Sequence, residues 1–260
     1  MYGPWQWGHM AVTQYPEKHN LIVKAMRKVD PAIKVIASSA TPDELSWTYI
    51  ENRPVSPSST APAVSNPMLN PLTNALVYHE FFRHSDMVAL GVATGGMRTL
   101  AMDAYGDAAG FRMEGLVIKV LHDHFAGSMP VAVTSNSPQH VIKGAFGVDL
   151  PARAPGSPTY PLDVFAALSA DRKKLAISVV NPTETAQDCE LNLTGVQPVG
   201  AARLWQLTAP AGAVAPSPAP GPGGFGGGAP ATMAESSLPQ APRRITLPPS
   251  SLSVYEFEVK

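Results

Sequence analysis

A single cysteine, Cys189, stands in 260 residues. No internal disulfide framework can brace the fold, which therefore does not depend on an oxidising compartment. Nor does Cys189 read as a catalytic thiol, because it lies in a strand-like stretch, Gln187 to Leu193, with no neighbouring histidine. Basic runs are missing as well, and a formal charge of -1 argues against nucleic acid as a partner. No apolar run reaches about 18 residues, the length a membrane-spanning helix needs. No basic-then-apolar leader precedes Trp5. The expectation is a cytoplasmic chain with no membrane partner, for which the sequon Asn192-Leu193-Thr194 has little meaning.

Apolar residues make up 45% of the chain, enough for a real core in one domain or two. Thr13 to Val29 predicts a helix, with Leu21, Ile22, Ala25, Met26 and Val29 on one apolar stripe and Lys18, Lys24, Arg27 and Lys28 facing water. Asp30-Pro31 stops it, and Ile33 to Ala37 reads as a short buried strand. Arg53 to Pro71 carries five prolines among Ser and Ala and reads as linker. Leu72 to Arg83 predicts a helix with Leu72, Leu76 and His79 on one face. Asp86 to Ala93 predicts another buried strand, and Gly110 to Phe125 a further helix. Two such units and a third helix cannot close a barrel, which takes eight strands.

From Pro130 onward the pattern changes to period two. Val131–Thr134, His140–Val148, Asp163–Ser169, Leu175–Val180, Cys189–Leu193, Ala202–Leu207 and Leu252–Val259 read as short strands separated by turns such as Asn181-Pro182-Thr183. That is the signature of an antiparallel β-sandwich. Ala209 to Pro242, rich in Pro, Gly and Ala, reads as a disordered insertion between two strands.

Several suggestive motifs carry no chemistry. His79 and His84 are spaced i, i+5, so they cannot share a helical face as zinc ligands do at i, i+4. His122-Asp123-His124 is mis-spaced in the same way, at a helix end where a cationic imidazole is favourable anyway. Gly221-Pro222-Gly223-Gly224-Phe225-Gly226 fits a dinucleotide pattern, but no strand precedes it. Thr94-Gly95-Gly96 follows a strand-like run, where such glycines ordinarily only make the turn. No metal and no cofactor is implied.

The most informative segment is the first, Met1-Tyr2-Gly3-Pro4-Trp5-Gln6-Trp7-Gly8-His9, rigid and aromatic where a domain normally starts frayed and polar. It resembles the loop after the fourth barrel strand in the α-L-arabinofuranosidases of glycoside hydrolase family 51, where Asn-Glu is followed by a few residues and then Gly-Pro-Trp-Gln. Further strings are similar to that family in order: His79-Glu80-Phe81-Phe82-Arg83-His84-Ser85-Asp86, Leu162-Asp163-Val164, Ser178-Val179-Val180-Asn181-Pro182 and Leu247-Pro248-Pro249-Ser250-Ser251-Leu252. The resemblance implies partial (β/α) barrel segments followed by an antiparallel β-sandwich, an α/β plus all-β fold. Residues 1–128 would hold the barrel pieces with the Pro-rich junction at 53–71, and residues 129–260 the sandwich with its insertion at 209–242. It also implies retaining hydrolysis of terminal α-L-arabinofuranosides, with an arabinose-containing oligo- or polysaccharide as partner.

The departures bear on activity. The family's acid/base is the Glu of the Asn-Glu pair, and the chain begins immediately after its place; the expectation is a truncated relative. The family's nucleophile Glu sits in an Asp-Glu-Trp context, and no such triplet occurs here. Retaining hydrolysis needs two carboxyl groups about 5–5.5 Å apart. Asp43 and Glu44, a few residues past the Ile33–Ala37 run, are the surviving candidates, with Trp47, Glu51 and Asn52 near them in sequence. The competing reading gives Asp43 and Glu44 to a helix start, where acids complement the dipole. Trp5 and Trp7 either stack on a sugar or fill space beside the Thr13 helix. Three functions stay open: a chain with little or no activity because both carboxylates are absent, a hydrolase using Asp43 or Glu44 with Asp103 or Glu114 across a rearranged barrel or one completed by a homo-oligomer, and a non-catalytic carbohydrate-associated module.

Overall fold

The computed structural model describes residues 14–36, 66–91, 100–102, 109–136, 162–209 and 232–260. Among them are the helices α1 (Gln14–Val29), α2 (Leu69–Arg83) and α3 (Met113–Phe125). The strands are β1 (Leu100–Met102), β2 (Ala109–Phe111), β3 (Met129–Pro130), β4 (Asp163–Leu168), β5 (Lys174–Asn181), β6 (Gln187–Glu190), β7 (Pro198–Leu207), β8 (Ala234–Leu238), β9 (Arg244–Leu247) and β10 (Ser251–Val259). Six of them form one sheet in the order β3-β4-β5-β10-β7-β8, while β6 pairs with β9 and β1 with β2. Every pairing is antiparallel. The expected mixture of helix with an antiparallel sandwich is therefore what the chain forms.

The central strands show why the sheet holds. β5 is buried at every position after Lys174, so it does not alternate between core and water. Its side chains still alternate between two different cores. Ala176, Val180, Leu252, Val254 and Leu207 face Met68, Leu72 and Ala75 at α2 and Val117, Val120, Leu121 and Phe125 of α3. Leu175, Ile177, Val179, Tyr255, Phe257 and Ala202 face Ile245 and Leu247 of β9. Helices thus cover one face and a two-stranded ribbon the other. Each fully buried Leu or Val stabilises by roughly 1.5–3 kcal/mol relative to exposure.

Local chemistry fixes where α2 begins. Asn66 Oδ1 accepts the Met68 N–H at 2.9 Å in an Asx turn that leads into the helix, and its Nδ2 donates to Ser250 Oγ at 2.9 Å, so one side chain sets the approach to α2 and ties it to the sandwich. Pro71 lies in the first turn, where a missing N–H leaves no helical bond unmade. The Pro-rich junction therefore ends earlier than expected: Met68 and Pro71 are buried and residues 66–71 belong to the folded body.

Other expectations are corrected. The Thr13 helix exists as α1, yet its stripe is open to water: Leu21 is 69% and Val29 89% exposed, and Val23, off the stripe, is the buried residue of positions 17–29. Residues 33–36 are irregular rather than a strand. Asp30 Oδ1 accepts the Ala32 N–H and the Asp30 carbonyl accepts Ile33 N–H, an Asx turn that uses up the local bonding. Residues 86–91 also form no strand, because the His84 carbonyl accepts from both Met87 N and Val88 N and prolongs the turn after α2. The helix expected from Gly110 starts at Met113, since Gly110 and Phe111 pair in β2 with Ala101 and Leu100. Of Val131–Thr134 only the Val131 N–H bonds the sheet, to the Ala166 carbonyl, and the paired residues are Met129 and Pro130. The expected Cys189–Leu193 strand is shifted to Gln187–Glu190.

The insertion at 209–242 is ordered in its last third. Residues 234–238 form β8 on the edge of β7, because Ala234 to Leu238 has neither Pro nor Gly and Glu235 pairs with Arg203 across the ladder. Residues 210–231 and the His140–Val148 run lie outside the described residues.

Candidate functional site

Asp43, Glu44, Trp5 and Trp7 lie outside the described residues, as do Trp47, Glu51, Asn52 and Asp103. Glu114 is described. It sits half-buried in the first turn of α3, 3.8 Å from Arg112 Nε, where an acid complements the helix dipole. Several other described acids are engaged with cations. Glu80 and Asp163 both bind Arg83, Asp123 binds Lys119, Glu235 binds Arg203, and Glu256 binds His124 and Lys174.

One polar cluster is fully enclosed. His79, on the sheet-facing side of α2, places Nδ1 2.8 Å from Asp163 Oδ2 on β4 and Nε2 2.8 Å from Ser178 Oγ on β5. Arg83, one turn further along α2, donates to Asp163 Oδ1 at 2.5 Å, to the Val164 carbonyl at 2.9 Å and to Glu80 Oε1 at 2.7 Å. A carboxylate only accepts, so His79 Nδ1 donates to Asp163, while Nε2 is paired with the Ser178 hydroxyl. The order of contacts matches a serine–histidine–aspartate relay. Burial rules that chemistry out: His79 and Ser178 are 0% exposed and Asp163 1%, leaving no approach for a substrate. The cluster fastens helix to sheet.

A second fastener closes the turn after β5. Buried Asn181 donates from Nδ2 to the carbonyls of Thr185 and Pro248 at 2.9 and 2.8 Å, and its Oδ1 accepts from Thr183 N–H and Oγ1. Thus the strings around His79, Asp163, Ser178 and Pro248 meet in space. Sequence reasoning missed this use of them. The available signal was one histidine and one arginine at i, i+4 on a helix, matched by a lone Asp and a lone Ser inside otherwise apolar strands.

The end of α3 is pinned separately. His124 Nδ1 lies 2.9 Å from Glu256 Oε2, and its ring is 3.9 Å from the Trp205 ring, centroid to centroid. Arg203 stacks on the same indole at 4.7 Å. The His124 hydrogen bond, followed by Lys174, pulls the Glu256 carboxyl down to about 2. The Trp205 ring is thereby taken up by His124 and Arg203, so it offers no free platform for a sugar.

Between α2, α3 and residues 85–91 lies a cavity of about 320 Å³. Among the described residues, aromatic and aliphatic side chains line it with Ser85, His122 and Ser128, and no carboxylate, amide, lysine or arginine does. Glycoside hydrolysis needs two carboxyls, and the described lining supplies neither. Among the described residues no group of three or more His, Cys, Asp or Glu could hold a metal ion, and no helix is long and apolar enough to cross a membrane.

No protein-family model matches the chain, and no curated protein matches it in sequence. Solved structures do match. The α-L-arabinofuranosidase of Thermotoga maritima, in its arabinose complex, aligns with a TM-score of 0.52 and 18% identity over 99% of this chain and 64% of that one. The family 51 enzyme of Thermotoga petrophila RKU-1 aligns with 0.52 and 17% identity over 98% and 64%. That of Xanthomonas axonopodis pv. citri gives 0.52 and 17% over 95% and 46%. The chain therefore spans less than two thirds of the length of each of these proteins. Identity so low speaks for architecture, and the architecture of this chain is the glycoside-hydrolase-like fold of the family 51 α-L-arabinofuranosidases.

Proposed function

We propose that this chain is a relative of the family 51 α-L-arabinofuranosidases that associates with an arabinose-containing oligo- or polysaccharide and has little or no hydrolytic activity by itself. The observation that carries the reading is a conjunction. A family 51 fold covers nearly the whole chain, while neither the Asn-Glu pair nor the Asp-Glu-Trp triplet that house the family's two carboxylates occurs in the sequence. The buried and half-buried acids Glu80, Asp163 and Glu256 support it, each being held by a cation. Removing a positioned acid or base typically costs a factor of 10²–10⁴ in rate, so a chain without the pair retains little. Trp5 and Trp7 remain the sugar-stacking candidates under this reading.

The test is an aryl α-L-arabinofuranoside at high protein concentration, with arabino-oligosaccharide binding followed by calorimetry. Binding without release of the aryl group is expected. Turnover that disappears in Asp43→Ala or Glu44→Ala would refute the reading and establish replacement carboxylates.

A second reading, a homo-oligomer that completes a barrel, is favoured by one observation. The exposed large apolar side chains include Leu21, Ile22, Met26, Val29 and Ile36, all within or just after one helix, and such a patch marks an interaction surface. Sedimentation velocity decides it: a concentration-independent monomer removes that route.

A further inference from the structure

We propose that the cavity between α2 and α3 is a binding site for a small, uncharged aromatic molecule. The carbohydrate reading neither supports nor needs this site. Three observations carry it. The first is size: an engineered apolar cavity of about 150 Å³ stays dry and takes up benzene, and this one, at about 320 Å³, has room for a ring with a short substituent or a fused bicycle.

The second is that the walls are already set. Phe82 lies 5.2 Å from Phe165 and 5.9 Å from Phe125, and Phe125 lies 5.3 Å from Phe165, so three rings hold one another in place. Phe125 and Phe165 are each only 4% exposed and form the floor with Leu121. Phe81 makes the opposite wall, fixed edge-on by Tyr78 at 5.8 Å and by Gly91 behind it. A Cβ at position 91 would come within 2.5 Å of the Phe81 ring, so only glycine lets that ring stand where it does. Rings locked by their neighbours do not collapse into the space, and a preformed apolar pocket binds without an ordering cost.

The third is chemistry. Among the described residues, polar side chains enter the lining only at Tyr78, Ser85, His122 and Ser128. A sugar would strand most of its hydroxyls there, and no lysine or arginine waits for an anion. Five surrounding rings favour an aromatic guest, which gains edge-to-face contact beyond its area.

Benzyl alcohol is the probe, with cyclohexylmethanol as its aliphatic match, read on the full chain by saturation-transfer NMR and thermal melting. Benzyl alcohol should show transfer and raise Tm by about 3–5 °C at ten times its dissociation constant. Both signals should vanish in Ala89→Phe, a substitution at an exposed rim residue. Should that variant fail to fold, Ala126→Phe fills the space from an exposed position at the end of α3. No transfer from benzyl alcohol, an equal response to cyclohexylmethanol, or binding that survives in a folded filled variant would each overturn the proposal. So would a wild-type dimer that Ala89→Phe dissociates, because a second copy would then occupy the cavity.

Discussion

Replacing Asp163 by Asn exchanges one buried oxygen for an amide nitrogen and removes one charge. In the native protein the carboxylate, 1% exposed, accepts from His79 Nδ1 at 2.8 Å and from Arg83 Nη2 at 2.5 Å. Losing a hydrogen bond to a charged group costs about 1.5–3 kcal/mol, and stripping one partner from a buried ion pair costs about 3–5 kcal/mol. Arg83 is 18% exposed and keeps Glu80 and the Val164 carbonyl, which places the expected loss near the bottom of that range, about 3 kcal/mol. Against a total stability of about 5–15 kcal/mol this is a large share. Urea unfolding followed by far-UV circular dichroism should show the midpoint falling by about 1–1.5 M with an unchanged slope. Arg83→Met in the same background should cost less than the sum of the two single changes, because the double variant leaves no unpaired cation in the helix–sheet seam. A midpoint shift below about 0.3 M, or strict additivity, would show that the cluster does not fasten the helix to the sheet.

Two smaller effects follow from the other fasteners. The Glu256 carboxyl, held at about 2 by His124 and then Lys174, stabilises the fold at every pH above its ordinary value of 4.5 and loses that contribution as the pH falls from 4.5 toward 2. Glu256→Gln should therefore flatten the acid limb of a Tm-versus-pH curve by about 1 kcal/mol, after allowance for solvent screening; an unchanged limb would contradict this. Asn181→Ala removes the side-chain bonds to Thr183, Thr185, Leu247 and Pro248 that close the turn after β5 and should lower stability by about 2–3 kcal/mol, visible in thermal melts, whereas a loss below about 0.5 kcal/mol would mark the turn as independent of its side chain.

The sandwich was readable because its strands are bounded by turns and alternate side chains between two apolar cores. Leu175–Val180 and Leu252–Val259 fall within a residue of β5 and β10. Helices α2 and α3 were readable from their 3.6-residue period, apart from their first turns. Residues 33–36 and 86–91 were not, because an apolar run fits a strand only when a neighbour supplies the ladder, and the Asx turn at Asp30 and the prolonged turn after His84 take the backbone bonds first. β8 was missed because composition over 209–242 hides five residues with ordinary strand chemistry. As for the site, the strings that resembled the arabinofuranosidases around His79, Asp163, Ser178 and Asn181 turn out to be buried fasteners. They survive in a sequence through packing and hydrogen-bond satisfaction, which is why they report the fold and say nothing of reactivity.

The place of β10 between β5 and β7 has a consequence for how the protein is made. Synthesis runs from the first residue to the last, yet the strand that joins the two halves of the sheet is the last described strand to leave the ribosome. Until residues 251–259 emerge, β5 and β7 each present an unpaired inner border, about 70 residues apart along the chain for β5 and β10. A nascent chain stalled before Ser251 should therefore recruit a chaperone and resist refolding, and release of those nine residues should be the event that commits it to the native state.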